Sequence, residues 1–570
     1  MSQFIKNHIY LITLAISVLF IFLLGFDLWK GGYTDSDGYM RAIRLKHFIE
    51  NPTFFEKMIY ESNYPFGEIN HWTRPMDILW LLCYLPFSLF LPLKDAIFMG
   101  GAFLSPLIKT AAAMTLVCGL KRSFNIYLAL FGLIIFLNYP TGIYNAGRPD
   151  HHSLMNFWHI CSLTLVIYWY QSKKDKYLLW LGIISALSVF TAIEGILLYA
   201  IILAYFTAQY VFKNASLFPA LLICKSFCIT LTICWLLNPP YQGWLYPDNG
   251  RISVLFVCLA WLILMGLKIN NQIAPEKILH KILALTATGI TILLILMLTF
   301  GKNIFSAPLS SEITEIWVRY INEMKPIHKQ EWAVQCYFYG FSTCAVILNI
   351  FLIIRNIHPN LMQLNLYLCL PLYVLSFFAI RFANYNSVYC ILPFVAYIEY
   401  IYNQFPHKLS LKENVPPYLW AILGTFFIQI FYALPCSLYV SQLKPQKTFS
   451  YQLCQNVRNI GGTLATNTFL GPKYIWSCDV NVIATPYHRN IEGILDNRHI
   501  LAGRKDEEII PLLLKHQVTQ IVVFDKHQNE FDENDNALLY NRLIKHSNIP
   551  FYLEEIPSNI TTAHHYRVKI

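Results

Sequence analysis

Two carboxylates one residue apart, Asp35 and Asp37, stand at the head of the stretch "YTDSDGYMRAIRLKHF", Tyr33 to Phe48. Carboxylates this close can hold a divalent cation, or one of them can be raised in pKa and act as a general base. A plainer role competes: Asp35 or Ser36 caps a helix starting near Gly38, where the positive end of the helix favours acids. Capping accounts for one acid better than for two. "RPDHH", Arg148 to His152, is the second group. Asp beside two His is a metal-ligand composition, and Arg148 suits an anion. Its plainer role is a polar turn capped by Asp150 or Ser153. Adjacent side chains diverge along a helix, so at most one of His151 and His152 is expected to coordinate directly. Glu194 is third, alone in the apolar "SVFTAIEGILLYA"; a carboxylate in such a segment defaults to a functional reading. Arg381 in "FFAIRFANYNSVY" is fourth, either a phosphate clamp or a side chain snorkelling to an interface.

These groups must be positioned by a very apolar chain. Of 570 residues, 56% are hydrophobic and 13% charged, against about 25% charged in soluble proteins. Apolar runs near the ~20 residues that cross a bilayer recur along it. Spans are expected near 8–26, 95–118, 125–138, 153–170, 177–193, 195–212, 216–237, 252–268, 282–300, 336–354, 361–380, 386–402 and 415–440. The fold class is therefore a polytopic α-helical membrane protein of about thirteen transmembrane helices, with an exported C-terminal α/β domain. The run Ile78 to Leu93 is short and holds Pro86 and Pro92. It is placed on the outer face against the bundle, because counting it as a span would invert everything after it. No small-residue cleavage site follows the first run, which is expected to be retained as an anchor.

Charge sets the orientation. Lys6, Lys121, Arg122, Lys173, Lys174, Lys213 and Arg355 fall in short loops on one side, whereas Arg148, Arg251 and Arg381 fall on the other. The positive-inside rule puts the N-terminus in the cytoplasm. The net charge of +10 is then a matter of topology and implies no nucleic acid. Loops 27–94, 139–152 and 301–335 and the polar tail from 441 lie outside. The transmembrane unit is 1–440 and the exported domain 441–570. Within the tail, "NVIATP" and "TQIVVFD" read as strands, and "EEIIPLLLKH" and "NALLYNRLIKH" as helices.

On this topology Asp35, Asp37, Asp150, His151, His152 and Glu194 reach one face from four spans. Independent caps would scatter over both faces. An acidic pocket with Arg148 and Arg381 beside it fits sugar transfer from a lipid-phosphate donor. A carboxylate takes the acceptor's proton, and a cation or Arg takes the charge on the leaving phosphate. Asp37 is the expected base, and Asp35 both caps and coordinates. The basic stretch Arg41 to Lys46 is expected to lie on lipid headgroups. Lys109 and Lys225, deeper in their spans, either snorkel or touch the lipid phosphate. Most of the fourteen Cys lie in apolar runs and serve as small apolar residues. Cys454 and Cys478 are in the tail, where a disulfide is one option. No CxxC pair occurs, which argues against a cysteine zinc site.

With these motifs the sequence resembles the GT-C integral-membrane glycosyltransferases, the superfamily of the oligosaccharyltransferase catalytic subunit. "YTDSDGYMR" is similar to that family's acidic motif in the first external loop, and "GRPDHH" to its second. The count of spans and the exported tail are similar as well. "GRPDHHSL" together with "TPYHRNIEGI", Thr485 to Ile494, also resembles a bacterial branch of the superfamily. The resemblance implies a glycosyltransferase of the bacterial inner membrane, with its site and C-terminus periplasmic. Its donor would be a polyprenyl-(di)phosphate sugar and its acceptor a glycan, lipid or protein. It implies Asp35, Asp37 and Asp150 as catalytic residues, and Glu194 joins them from its place in an apolar segment on the same face. Arg74, Arg148, Arg381, His488 and Arg489 would contact donor or acceptor. Asp37, Asp150, His151 and His152 would hold a divalent cation, Mg or Mn, where one is used. The Trp-Trp-Asp triplet with which oligosaccharyltransferases read their sequon is absent, which points to a glycan or lipid acceptor.

Two other classes would use the same composition. A transporter or flippase would use the charged cavity for alternating access, but it would usually show repeat symmetry and charges near the midplane. A non-catalytic scaffold would not need this acidic set on one face.

Overall fold

The structure, a computed structural model, describes residues 2–24, 32–53, 55, 58–138, 142–301, 309–404, 424, 449–525 and 531–570. The apolar runs become helices because backbone in hydrocarbon must satisfy its own N–H and C=O groups. In chain order they are α1 (Ser2–Leu24), α2 (Ser36–Glu50), α3 (Pro75–Ser88), α4 (Leu93–Ser123) and α5 (Ile126–Asn138). Then follow α6 (His151–Ser172), α7 (Asp175–Thr191), α8 (Ile196–Lys213), α9 (Phe218–Leu237), α10 (Val254–Ile273) and α11 (Ile278–Phe300). A short α12 (Ser311–Ile316) precedes α13 (Trp332–Ile354), α14 (Pro359–Ser376) and α15 (Arg381–Gln404). Every expected span from 8–26 to 386–402 falls on one of these helices. Among the described residues, five helices are long and apolar enough to cross a membrane. The expected span 415–440 lies outside the described residues, so thirteen is not established as the number.

The ambiguous run 78–93 is mostly α3, packed on α4. Trp80 is fully buried and donates from Nε1 to the Ile97 carbonyl, 2.8 Å. Gly101 makes room for it: a Cβ there would lie 2.2 Å from the indole. Small residues at a helix contact allow this close approach. Lys109 is buried in α4 and donates to the Leu137 carbonyl at 3.1 Å, whereas Lys225 is exposed.

α2 is not the surface helix expected from its basic residues. Arg41 and Arg44 are buried and lie 3.9 and 3.1 Å from Asp77 of α3. Arg74 pairs with the same carboxylate at 3.0 Å, and the Arg41 guanidinium covers the Trp72 ring at 4.0 Å. One buried acid thus gathers three arginines, and hydrogen-bonded pairing is what permits charges to be buried.

The tail folds around a five-stranded sheet. Its elements are α16 (Tyr451–Ile460), β1 (Thr463–Thr466), α17 (Gly471–Cys478), β2 (Asn481–Val482), α18 (Ile491–Ala502), α19 (Asp506–Lys515), β3 (Val518–Phe524), α20 (Leu539–Ile544), β4 (Leu553–Ile556) and β5 (Ala563–Val568). The order is β2-β1-β3-β5-β4. β1 runs parallel to β2 and β3, and β5 antiparallel to β3 and β4. The two expected helices and the strand "TQIVVFD" are present. "NVIATP" is a strand only over Asn481–Val482, since the chain turns off to dock on the first external loop. There Val482 N donates to Glu61 O at 2.8 Å, and Tyr64 N to Val482 O at 3.2 Å. A Cys454–Cys478 disulfide ties α16 to α17. The expected boundary at 440/441 lies outside the described residues.

Candidate active site

A cavity of about 860 Å³ opens where the first external loop, the segment before α6, the α7–α8 turn, the loop before α13, the start of α15 and the tail converge. Local sequence builds its walls. Asp35 caps α2, accepting from Gly38 N at 3.0 Å, which aims Asp37 from the first turn. Asp150 caps α6, accepting from His151 N at 2.6 Å. Glu194 sits in the single 3-10 turn Ile193–Gly195 between α7 and α8, and Arg381 is the first residue of α15. Both capping roles and the placement of acids at the wall therefore coexist.

The structure brings Asp35, Asp37, Arg148, His151, Glu194, Arg381 and His488 to this cavity. Asp150 and His152 lie directly behind it, both buried. Arg74 does not reach it, being spent on Asp77. Arg489 turns to a neighbouring cavity of about 560 Å³, where it pairs with Asp248. The two arginines expected to be free for anions are paired: Arg148 Nε lies 2.9 Å from Asp35 Oδ2, and Arg381 Nη1 lies 3.2 Å from Glu194 Oε2. Arg381 Nε is nevertheless buried without a hydrogen-bond partner.

The acids differ in electrostatic state. Asp37 pairs with no basic side chain among the described residues. Burial, and then the Asp150 and Asp35 charges, push its carboxyl well above the ordinary range. Its Oδ1 lies 3.2 Å from the Tyr487 hydroxyl. Burial also raises Asp35, with Arg148 opposing. Asp150 goes the other way: burial would raise it, but His151, His152 and Arg148 outweigh that and hold it well below the usual range. Environments that push neighbouring carboxyls apart separate a base from a structural anion.

No family model matches the sequence, and no curated protein matches it. Solved structures do. The oligosaccharyltransferase of Archaeoglobus fulgidus in the apo form aligns with a TM-score of 0.66 at 15% identity, over 92% of this chain and 70% of that one. The same enzyme, AglB, in complex with an inhibitory peptide and a dolichol-phosphate gives 0.64 at 14% identity, over 91% and 70%. Its complex with Zn and sulfate gives 0.60 at 14%, over 90% and 67%. The chain has the fold of an archaeal oligosaccharyltransferase. The sequence resemblance is thus a likeness of the whole architecture, tail included.

Within this oligosaccharyltransferase fold, sequence reasoning missed several residues that shape the site. Glu323, in the loop before α13, lies 3.1 Å from His152 Nε2 and 3.9 Å from Arg381. Burial would raise its pKa, but His152 pulls it down to about 2. The rule that singled out acids in outer loops would have found it, since loop 301–335 was already placed outside. Tyr385 bridges two groups, lying 2.6 Å from His152 Nδ1 and donating to Glu194. His71, likewise missed, lies beside the expected His488, with ring centroids 4.1 Å apart and planes tilted at 52°. Burial holds both below the ordinary imidazole value, with each helped by a neighbouring positive group, and His488 falls to about 4.

The donor set fits a divalent cation. One ligand atom each of Asp150, His151 and His152 lies within 4.8 Å of the others. Both histidines therefore reach Asp150, and the expectation that at most one of them coordinates an ion directly stands as it was. Asp150 caps the helix, so its carboxylate sits under the mouth of the first turn and meets two successive side chains. His152 Nε2 points between Glu323 Oε2, 3.1 Å, and Asp150 Oδ2, 3.7 Å, without a well-angled hydrogen bond. Asp37 does not join this set.

Proposed function

We propose that this chain is a membrane glycosyltransferase. It moves a sugar or oligosaccharide from a polyprenyl-(di)phosphate to an acceptor on the outer face, by an inverting displacement with a carboxylate base. The observation that carries the reading is Asp37: a half-buried carboxyl at the cavity wall without a cation partner, pushed up in pKa, in a cavity that also holds Arg148 and Arg381. The dolichol-phosphate bound by AglB supports a lipid-phosphate donor.

Asp37 accepts the proton of the acceptor hydroxyl, and the Tyr487 hydroxyl fixes its orientation. Proton transfer to a positioned group of this kind is worth about 10²–10⁴ in rate. Arg381, whose Nε has no partner, and Arg148 receive the phosphate; a guanidinium keeps further N–H donors after one carboxylate pair. Glu194 and Glu323 hold Arg381 in place. Asp150, His152 and Glu323 would hold a divalent cation, which when bound supplies neutralisation of charge on the leaving phosphate. The archaeal enzyme's complex with zinc supports a divalent cation as such. The cavity of about 560 Å³ beside His488 is offered to the acceptor, and the missing Trp-Trp-Asp triplet favours a glycan or lipid there. The Lys/Arg bias supports a bacterial inner-membrane orientation with the N-terminus cytoplasmic and the site periplasmic.

The test is the purified protein with a polyprenyl-diphosphate sugar, following sugar release. Wild-type release that is lost in Asp37→Asn supports the reading. A chain that only carried the lipid across would bind it without release, and unchanged release in the variant would sink the assignment of the base.

A further inference from the structure

The outer edge of the tail sheet carries a second constellation, away from the cavity. His564 is on β5, and His546 is in the turn after α20. Glu555 on β4 and Asp525 just after β3 flank them. His546 Nδ1 lies 3.1 Å from Glu555 Oε2. His564 Nε2 lies 2.9 Å from Asp525 Oδ1. The two inner nitrogens, His546 Nε2 and His564 Nδ1, face each other at 3.0 Å.

With both imidazoles neutral, these distances assign the tautomers. An ionised carboxylate only accepts, so each outer nitrogen must be the N–H of its ring. A neutral imidazole has a single N–H. Both inner nitrogens then present lone pairs to each other at 3.0 Å, which is repulsive unless a cation lies between or beside them. Two imidazole nitrogens on one tetrahedral metal, each at 2.0–2.1 Å, stand about 3.3 Å apart, a few tenths of an ångström from the separation here. An outer carboxylate on the far N–H of each ligating imidazole is also the arrangement that orients metal-bound histidine.

We propose that His546 Nε2 and His564 Nδ1 form a binding site for a late first-row divalent cation, with zinc as the reference ion. Glu555 and Asp525 orient the two rings. The His546 side chain is 44% exposed and His564 11%, so water completes the coordination. The bound ion clamps β5 to the turn after α20, a junction otherwise held by the Tyr566 hydroxyl on the Leu543 carbonyl, 2.7 Å. This site is independent of the glycosyltransferase reading.

The test uses the full-length chain in detergent, without a polyhistidine tag and stripped by chelator, titrated with Zn²⁺ by calorimetry and followed by thermal unfolding. His546→Ala and His564→Ala should each lose one equivalent of zinc relative to wild type. Their metal-free unfolding temperature should stay unchanged. Glu555→Gln should keep the stoichiometry and weaken that equivalent 10–100-fold, the loss typical of an outer carboxylate. Equal zinc stoichiometry in wild type and both histidine variants overturns the proposal. So does no zinc binding by wild type, which would leave a shared proton as the cation between the rings.

Discussion

Replacing Glu68 by Gln should abolish a pH-dependent loss of stability. Glu68 is 2% exposed in the first external loop. It accepts from Ser62 Oγ at 2.5 Å and from Thr485 of the tail. Asn490 Nδ2 reaches both hydroxyls at 3.2 Å. Burial outweighs these hydrogen bonds and raises the carboxyl from 4.5 to about 7. The folded state therefore holds the proton longer than the unfolded chain. Its contribution is complete below about pH 4.5 and is lost as pH rises through 7. The full difference is on the order of 3 kcal/mol. Glu68 Oε1 has no hydrogen-bond partner, so the amide placed there by Gln sets an offset that does not depend on pH. The observable is accordingly the change between two pH values. Thermal unfolding of the detergent-solubilised protein at pH 5 and pH 8.5 should show wild type losing stability and Glu68→Gln losing none from this site. An equal wild-type-to-variant difference at both pH values would refute the reasoning. The consequence reaches the cavity, because Tyr487 and His488 follow Thr485 by two and three residues.

Asp37→Asn should reduce turnover about 10²–10⁴-fold with the fold intact. Wild-type turnover should climb with pH through a value above the ordinary carboxylate range, because a base must be ionised and burial raises this one; a pH–rate profile reads both. Asp77→Ala should destabilise the protein by about 3–5 kcal/mol, the typical cost of removing one partner from a buried pair, measured by thermal unfolding or by yield of folded protein. Cys454→Ser with Cys478→Ser opens a link between residues 24 apart. On loop-closure entropy that costs about 3 kcal/mol, checked as a drop in tail unfolding temperature that reductant reproduces in wild type.

Much of the site was legible because its residues are set by local rules. Asp35 and Asp150 cap the helices that follow them, and a cap is decided within three or four residues. Glu194 stood out because a carboxylate between apolar runs is rare. Arg41 and Arg44 were misread for the converse reason. A basic amphipathic stretch looks the same in sequence whether it faces lipid headgroups or a buried acid, and Asp77, more than thirty residues on, makes the difference. Glu323 was passed over although loop 301–335 was expected on the same face as the other acids, because the rule for acids in outer loops was not applied there and nothing beside it in sequence names a histidine partner.

The sequence by itself determined which of the described apolar runs are helices, where two helices start, and which acids and histidines gather toward one end. Hydrophobic runs and caps are local, so their energetics are written in consecutive residues. The tertiary structure alone decided the charge state and partner of each group. Arg381 is held by Glu194 and Glu323, Asp37 is left without a cation, and His546 faces His564. These pairings join residues from eighteen to nearly two hundred positions apart, and burial, which sets their strength, is a property of the packed chain.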